Sequence, residues 1–466
     1  TRSLLREGDV KTGEPWSRRD FLRLTAGAAA ATVAACGSGS EKEPGAAEKA
    51  GARPGGGKRT LRILQWTHTV PAYDQWFDHD YTQRWGAEHD VTVTVDHVSI
   101  GELTPRAATE ISAGRGHDLF GFLAPPSAFE DEVIDHREIV EQVAAELGPL
   151  APLAERNVLN PKTKRYVGFP EFWSPFPVTY RTDIWDSVGL RSGPDTWEDV
   201  RRAAPALKAG GHPLGFAFSA DVDANWSLMS LMHAYGASIQ NEDGAVVIDR
   251  PATVEALKVA ADIYRAGMTE DVFTWDALAN NRFMASGTGS MTLNPVSALR
   301  AVEKQDPELA DKLGLAPVPA GPAARFGVHS VASVYVVWRF AENQELAKQF
   351  LVDLAVGYRE AFVKSEYFNL PAFPGSVRDV DELVGSNAAG AGLGKYAVLA
   401  GATSWSTNIG HPGFTNAAVD EVFTQFIVPR MFAAVAKGET SAEDSARAAQ
   451  AEIERIFGKW RDLGKL

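Results

Sequence analysis

Thr60–Trp66 (TLRILQW) is a short apolar run that reads as a β-strand. The stretch 72–87 follows, with Tyr73, Trp76, Phe77 and Tyr81 at helical spacing. Val91–Val95 (VTVTV) then alternates with the period of two that a strand requires. A second helical stretch, Leu103–Ala113, leads into Asp118–Phe122 (DLFGF), a short apolar strand that ends before Pro125-Pro126. Strand, helix, strand, helix, strand demands right-handed crossovers, and so a parallel sheet with helices against it. The first strand is followed by no glycine fingerprint for a dinucleotide.

Further along, Thr196 and Asp199 are spaced as a capping box before a helix, and Pro251 suits the first turn of another that runs to Arg265 and closes at Gly267. This is a second α/β unit, followed by mostly helical sequence from Val419 to Trp460. A chain of 466 residues exceeds what one core usually organises, so two lobes are expected.

The composition narrows function. The net charge is −14, and residues 1–35 carry six Lys/Arg against four Asp/Glu, so the remainder is more acidic still. This argues against nucleic acid as a partner, because its phosphates need a basic face. The one cysteine, Cys36, rules out an internal disulfide framework, a cysteine zinc site and a cysteine nucleophile elsewhere. No His-Glu-x-x-His or Gly-x-Ser-x-Gly signature occurs, and no cofactor or metal is expected. A glycosidase's carboxylate pair would leave no such signature, so a secreted glycan-active hydrolase stays open as an alternative, as does a solute sensor without transport.

The region 17–40 reads SRRDFLRLTAGAAAATVAACGSGS. Its apolar run, 24–35, is too short to cross a bilayer, which takes about twenty residues. Paired arginines, a short apolar core and small residues before a cut site make an export signal. Arg18 and Arg19 resemble the twin-arginine signature, and Val33–Cys36 (VAAC) resembles a lipobox whose cysteine is diacylated. Residues 1–35 are therefore expected to be removed and Cys36 to carry lipid. Residues 36–58, poor in apolar side chains, are expected to be a flexible tether.

Seven stretches in order carry a family resemblance: Ile111–Phe120 (ISAGRGHDLF), Tyr166–Pro170 (YVGFP), Val178–Trp185 (VTYRTDIW), Gly189-Leu190 with Pro194–Trp197 (PDTW), Phe283–Gly287 (FMASG) with Met291–Asn294 (MTLN), Leu315–Gly321 (LAPVPAG) and Asn343–Leu351 (NQELAKQFL). They resemble the extracellular solute-binding proteins of ABC importers, in the sugar-binding group that includes maltose-binding protein. The departures are His117, where the family usually has proline, and Pro295-Val296-Ser297, where an aromatic usually follows the asparagine.

The resemblance implies a two-lobed periplasmic-binding-protein-like α/β fold of type II, with a ligand cleft between lobes. It assigns 59–171 plus 326–370 to the N-terminal lobe and 172–325 plus 371–466 to the C-terminal lobe. It implies a monomer that captures a small solute, a sugar by the resemblance, and delivers it to permease subunits at the extracytoplasmic face of the membrane.

Candidate ligand contacts follow. Trp66 and His68 lie in the loop after the first strand, where an indole suits the C–H face of a sugar and Asp74 would accept from hydroxyls. Glu171, Trp173 and Ser174 replace the family's usual hinge sequence. Trp226 opens a helix, Asn294 begins a cleft loop, and His329 and Trp405 lie in further loops. Each of the tryptophans is open to a second reading as core.

We predict that Arg18→Lys together with Arg19→Lys leaves precursor in the cytoplasm, and that Cys36→Ala abolishes labelling by a palmitate probe. Normal labelling of both variants would remove the address assigned here.

Overall fold

The computed structural model describes residues 59–329, 331–386 and 394–466. The export signal with Arg18, Arg19 and Cys36, and the tether, lie outside the described residues. Eleven strands occur among those described: β1 Arg59–Trp66, β2 Val91–Val98, β3 Leu119–Phe122, β4 Phe169–Ser174, β5 Val178–Arg181, β6 Met291–Leu293, β7 Leu313–Ala316, β8 Gly327–Val328, β9 Val331–Val337, β10 Leu370–Pro371 and β11 Ser406–Thr407.

They form the two-lobed periplasmic-binding-protein fold. The first lobe is built on a six-stranded sheet in the order β10-β4-β9-β3-β1-β2, and the second on a three-stranded sheet in the order β6-β5-β7, with β8 and β11 as a small separate pair. β1 runs parallel to β2 and β3, as the alternation of strands and helices requires. The sheet is nevertheless mixed, since β9 is antiparallel to both β3 and β4, and β10 is antiparallel to β4. In the second lobe β5 is antiparallel to both its neighbours.

Local sequence accounts for much of this. The helix 103–113 ends at Gly114, whose φ of +61° only glycine adopts without strain. Thr196 accepts from the Asp199 N–H at 3.0 Å while Asp199 bonds back to the Thr196 N–H at 2.9 Å, the reciprocal box that starts helix Trp197–Ala209. The long first-lobe helix is interrupted by one π turn, Phe77–Tyr81, which lies between Pro71–Trp76 and Thr82–His89.

β4 stays in the first sheet as far as Ser174, and β5 opens the second at Val178, so the chain passes between lobes at 175–177. The boundary read from sequence, 171/172, falls inside β4. A later passage lies between β8 and β9, because β8 packs on helix Val222–Ala234 of the second lobe while β9 returns to the first sheet. Close approach of β4 to β9 depends on Gly168, where any Cβ would collide with the Val334 side chain.

Because β9 separates β3 from β4, a fragment of residues 59–174 lacks the strand that both require. We predict that this fragment shows no cooperative urea transition, whereas adding 326–373 on the same chain restores one. A cooperative melt of the shorter fragment would contradict this.

Candidate functional site

The lobes face each other across a cavity of about 30 Å³, lined from the first lobe by Trp66, Thr69, Ile100, Leu123 and Phe368, and from the second by Asp223, Trp226, Asn294 and Ser297. Trp66, Ile100 and Leu123 stand at or just beyond the carboxyl ends of β1, β2 and β3, and Asn294 directly follows β6. Open α/β sheets present ligand loops at these ends. The volume admits on the order of two waters.

Three expected residues, Trp66, Trp226 and Asn294, line this cavity. Trp66 stacks on His68 with ring centroids 4.7 Å apart, and Trp226 packs on Phe176 and Phe423. Each indole packs against neighbouring rings while it lines the cavity. Asn294 belongs to a polar network. Asn280 Nδ2 donates to Asp223 Oδ2 at 2.5 Å and to Asn294 Oδ1 at 2.7 Å, while Asn294 Nδ2 donates to Asn281 Oδ1 at 2.5 Å and to Ser297 Oγ at 3.1 Å. Burial, reinforced by the nearby Asp221 carboxylate, raises the Asp223 pKa well above its ordinary value. Among the described residues no Lys or Arg lines the cavity.

His68 and Asp74 act one layer back. The Val70 N–H donates to His68 Nδ1 at 2.9 Å, so the ring proton sits on Nε2, which donates to Asn369 Oδ1 at 3.0 Å. Burial pushes His68 down to about 4 and keeps it neutral. Asp74 Oδ2 accepts from the His68 N–H at 2.8 Å and fixes the loop; burial raises its pKa to about 6.

The remaining candidates do not reach the cavity. Glu171 and Trp173 are on β4, buried to 5% and 1% exposure. Trp173 pairs with Leu370 in the sheet and is core. Glu171 accepts from the Tyr73 hydroxyl and from Ser333 Oγ at 2.8 Å. Ser174 Oγ donates to the Phe368 carbonyl at 2.6 Å. His329 accepts at Nε2 from Asn157 Nδ2 at 2.6 Å, and burial holds it at about 3. Trp405 gives its carbonyl to the Gly327 N–H at 2.7 Å. The alternation of a strand brings every second residue to one face, but β4 is buried on both, so it offers no side to the cleft.

Thr69, Asp223, Ser297 and Phe368 also line the cavity and were not among the expected residues. Asp223 had a signal: it lies three residues before Trp226, on the same face of helix Val222–Ala234. Ser297 opens helix Ser297–Gln305, three residues past the strand-end Asn294. Phe368 had none, since the chain's return to the first lobe brings it there.

A cleft between two α/β lobes, walled by an indole from each and floored by satisfied amides, defines a solute-binding protein. The chain belongs to the bacterial extracellular solute-binding protein family, whose model matches residues 67–366. A protein of Brucella abortus (strain 2308), named as a binding protein, is 27% identical over 296 residues, covering 60% of this chain and 68% of that one. Among solved structures, maltose-bound MalE3 of T. maritima superposes with a TM-score of 0.71 at 19% identity, covering 85% of this chain and 99% of that one. A sugar transporter protein of Arthrobacter chlorophenolicus A6 with bound laminaribiose gives 0.71 at 15% identity, covering 86% and 99%.

Glu171 supplies a test of the buried first-lobe wall. Burial raises its pKa from 4.5 to about 7, against the two hydrogen bonds that lower it. The folded chain thus holds a proton that the unfolded chain has released between these values, so stability is lost as pH rises through them. The loss totals roughly 3 kcal/mol at 1.36 kcal/mol per pKa unit. We predict that Glu171→Gln, which cannot ionise, gains about 2–3 kcal/mol on the wild type between pH 5 and pH 8 in urea titrations. An unchanged gap would mean that Glu171 titrates normally.

Proposed function

We propose that this chain is an extracytoplasmic binding lipoprotein that captures a small carbohydrate between its lobes and hands it to the permease of an ABC importer. In this reading the chain is exported by the twin-arginine route and held at the outer face of the membrane by lipid on Cys36. The lobes expected from sequence, 59–171 plus 326–370 and 172–325 plus 371–466, shift at their edges in this reading: β4 carries the first to Ser174, β8 goes with the second and Pro371 of β10 with the first.

The observation that carries the reading is the opposition of Trp66 and Trp226 across one cavity whose polar groups are Asp223, Asn294 and Ser297. Indole faces suit the C–H faces of a sugar ring, and carboxylate and amide groups suit its hydroxyls. The neighbours bound to maltose and laminaribiose add support. Without a lining cation, nothing there would neutralise a phosphate or carboxylate ligand. Closure supplies selectivity, because only a solute that meets both walls stabilises the closed state. His68, Asp74 and Asn369 hold the first wall in place before any solute arrives.

The test is a thermal-shift and calorimetric screen of the full chain with maltose, laminaribiose, tagatose and ribitol. We predict that a carbohydrate in the set binds, and that Trp66→Ala and Trp226→Ala each remove burial worth about 1.5–3 kcal/mol, roughly ten- to 150-fold in Kd. Hydrolysis of the sugar by purified protein would favour the glycan-hydrolase alternative. Binding that survives both tryptophan changes would place the site elsewhere.

A further inference from the structure

Among the described residues Asp223 is the one charged side chain that lines the cavity. It stands in the first turn of helix Val222–Ala234, 5% exposed, and Asp221 caps the same helix by accepting from the Asp223 N–H at 3.0 Å. Two carboxylates therefore meet at one helix end, where the dipole offers only about half a positive charge. Asn280 Nδ2 donates to Asp223 Oδ2 at 2.5 Å, which satisfies an acceptor but not a charge, and leaves Oδ1 without a protein donor among the described residues. No cation among these residues acts on either carboxylate. Asp276, whose charge also reaches Asp223, is paired with Arg282 at 2.8 Å, but Arg282 does not line the cavity.

Burial, with the Asp221 and Asp276 carboxylates, raises the Asp223 pKa well above its ordinary value, the response of a negative charge with nothing nearby to balance it. Such a buried carboxylate is costly to the fold unless a partner joins it. The surroundings say what the partner is. Trp66 and Phe368 line the cavity from the first lobe, and Trp226 lines it from the second, one turn beyond Asp223 on the same helix face. Aromatic rings attract cations as well as the C–H faces of a sugar. Thr69 Oγ1, also in the cavity lining, is buried without a partner among the described residues. The unmet groups are thus a carboxylate oxygen from one lobe and a hydroxyl from the other, in a space of about 30 Å³ that takes groups the size of water, as an ammonium is.

We propose that the ligand is a sugar carrying a basic nitrogen, an amino sugar or a glycoside of one, whose ammonium group sits against Asp223 while its ring lies among Trp66, Trp226 and Phe368. The proposal rests on the carbohydrate reading above and narrows it to a cationic class. A neutral sugar meets the rings and Thr69 but leaves the carboxylate unbalanced. An anionic sugar is repelled by it. A simple organic cation meets the rings and the carboxylate and leaves Thr69 unmet. The amine-bearing sugar answers all three, and its charge contact is little screened because the site is buried.

The test is calorimetry on the full chain at pH 7 with matched pairs: glucosamine against glucose, galactosamine against galactose, and the β-1,4-linked glucosamine dimer against cellobiose. N-Acetylglucosamine, whose nitrogen is neutral, and choline are the controls. The expected result is a tenfold or greater preference for the amine in at least one pair, absent for the N-acetyl sugar. The ratio of amine to parent affinity should fall to within twofold in Asp223→Asn, which retains an oxygen for Asn280. It should shrink in Asp221→Asn, which does not line the cavity and retains a helix cap. A merely structural Asp223 would lower both affinities together and leave the ratio unchanged. Sugars that bind with no preference for the amine, or a preference that survives both variants, would overturn the cationic class and leave the carbohydrate reading standing. Binding of choline without any sugar, or no binding at all, would remove the carbohydrate reading and this class with it.

Discussion

The first lobe exists only because β9 comes back to it. β9 pairs with β3 on one side, from Leu119↔Val337 to Phe122↔Val334, and with β4 on the other, from Phe169↔Tyr335 to Ser174↔Val331. Without it, β4 and β10 would be a detached ribbon and β3 an open edge, and isolated two-stranded ribbons are marginal in water. β9 reaches the first sheet only after the chain has built the second lobe's sheet, β5 to β7. The two lobes are thus topologically interlocked, and the cleft between them is a consequence of the sheet order.

That order also explains how the cleft can be polar and still stable. Polar groups facing a closed cavity cost free energy unless they are paired. Here the second wall satisfies itself: Asn280 bridges Asp223 and Asn294, and Asn294 reaches Asn281 and Ser297. The first wall is pinned by Asp74 and Asn369 through His68. Groups fixed in this way lose little further freedom when a solute arrives, which favours affinity per contact. The indoles do the opposite work, offering area without demanding partners on their faces.

Much of the fold was legible in the sequence because its elements are locally encoded. The helix at 103–113, the capping box at Thr196 and the parallel pairing of β1 with β2 and β3 all follow from patterns a few residues long. The antiparallel insertion of β9 was not legible from periodicity, since a buried strand such as VASVYVV looks the same in any register. The site divided along the same line. Trp66 and Asn294 could be placed beside the cavity because strand ends are local, and Trp226 because it begins a helix. Glu171 and Trp173 were expected in the cleft because a strand ending at a lobe crossing looks, in sequence, like a cleft loop, whereas the structure places them on a strand buried on both faces. Phe368 was invisible because only the chain's third visit to the area delivers it.

Phe368 also shows how cleft and crossing are made of the same atoms. Its ring lines the cavity, its carbonyl accepts from Ser174 at the end of β4, and its neighbour Asn369 holds His68 behind Trp66. The two residues before it, Glu366 and Tyr367, have φ of +55° and +70°, conformations that cost non-glycine residues about 1–3 kcal/mol each and persist only where surroundings enforce them. The enforcing group comes from the other lobe: Arg300, on helix Ser297–Gln305, donates to the Glu366 carbonyl at 3.1 and 3.2 Å and lies 3.9 Å over the Tyr396 ring. The first wall of the cleft, the end of β4 and the 366–369 turn therefore form one bonded unit. Parting of the lobes cannot proceed by loosening that wall without also breaking the Ser174 and His68 bonds. The chain passes between lobes where no sheet pairing restrains it, at 175–177, after β8 and after β10, and the Arg300 bonds to the Glu366 carbonyl are the direct tie that holds the turn beneath the first wall to the other lobe.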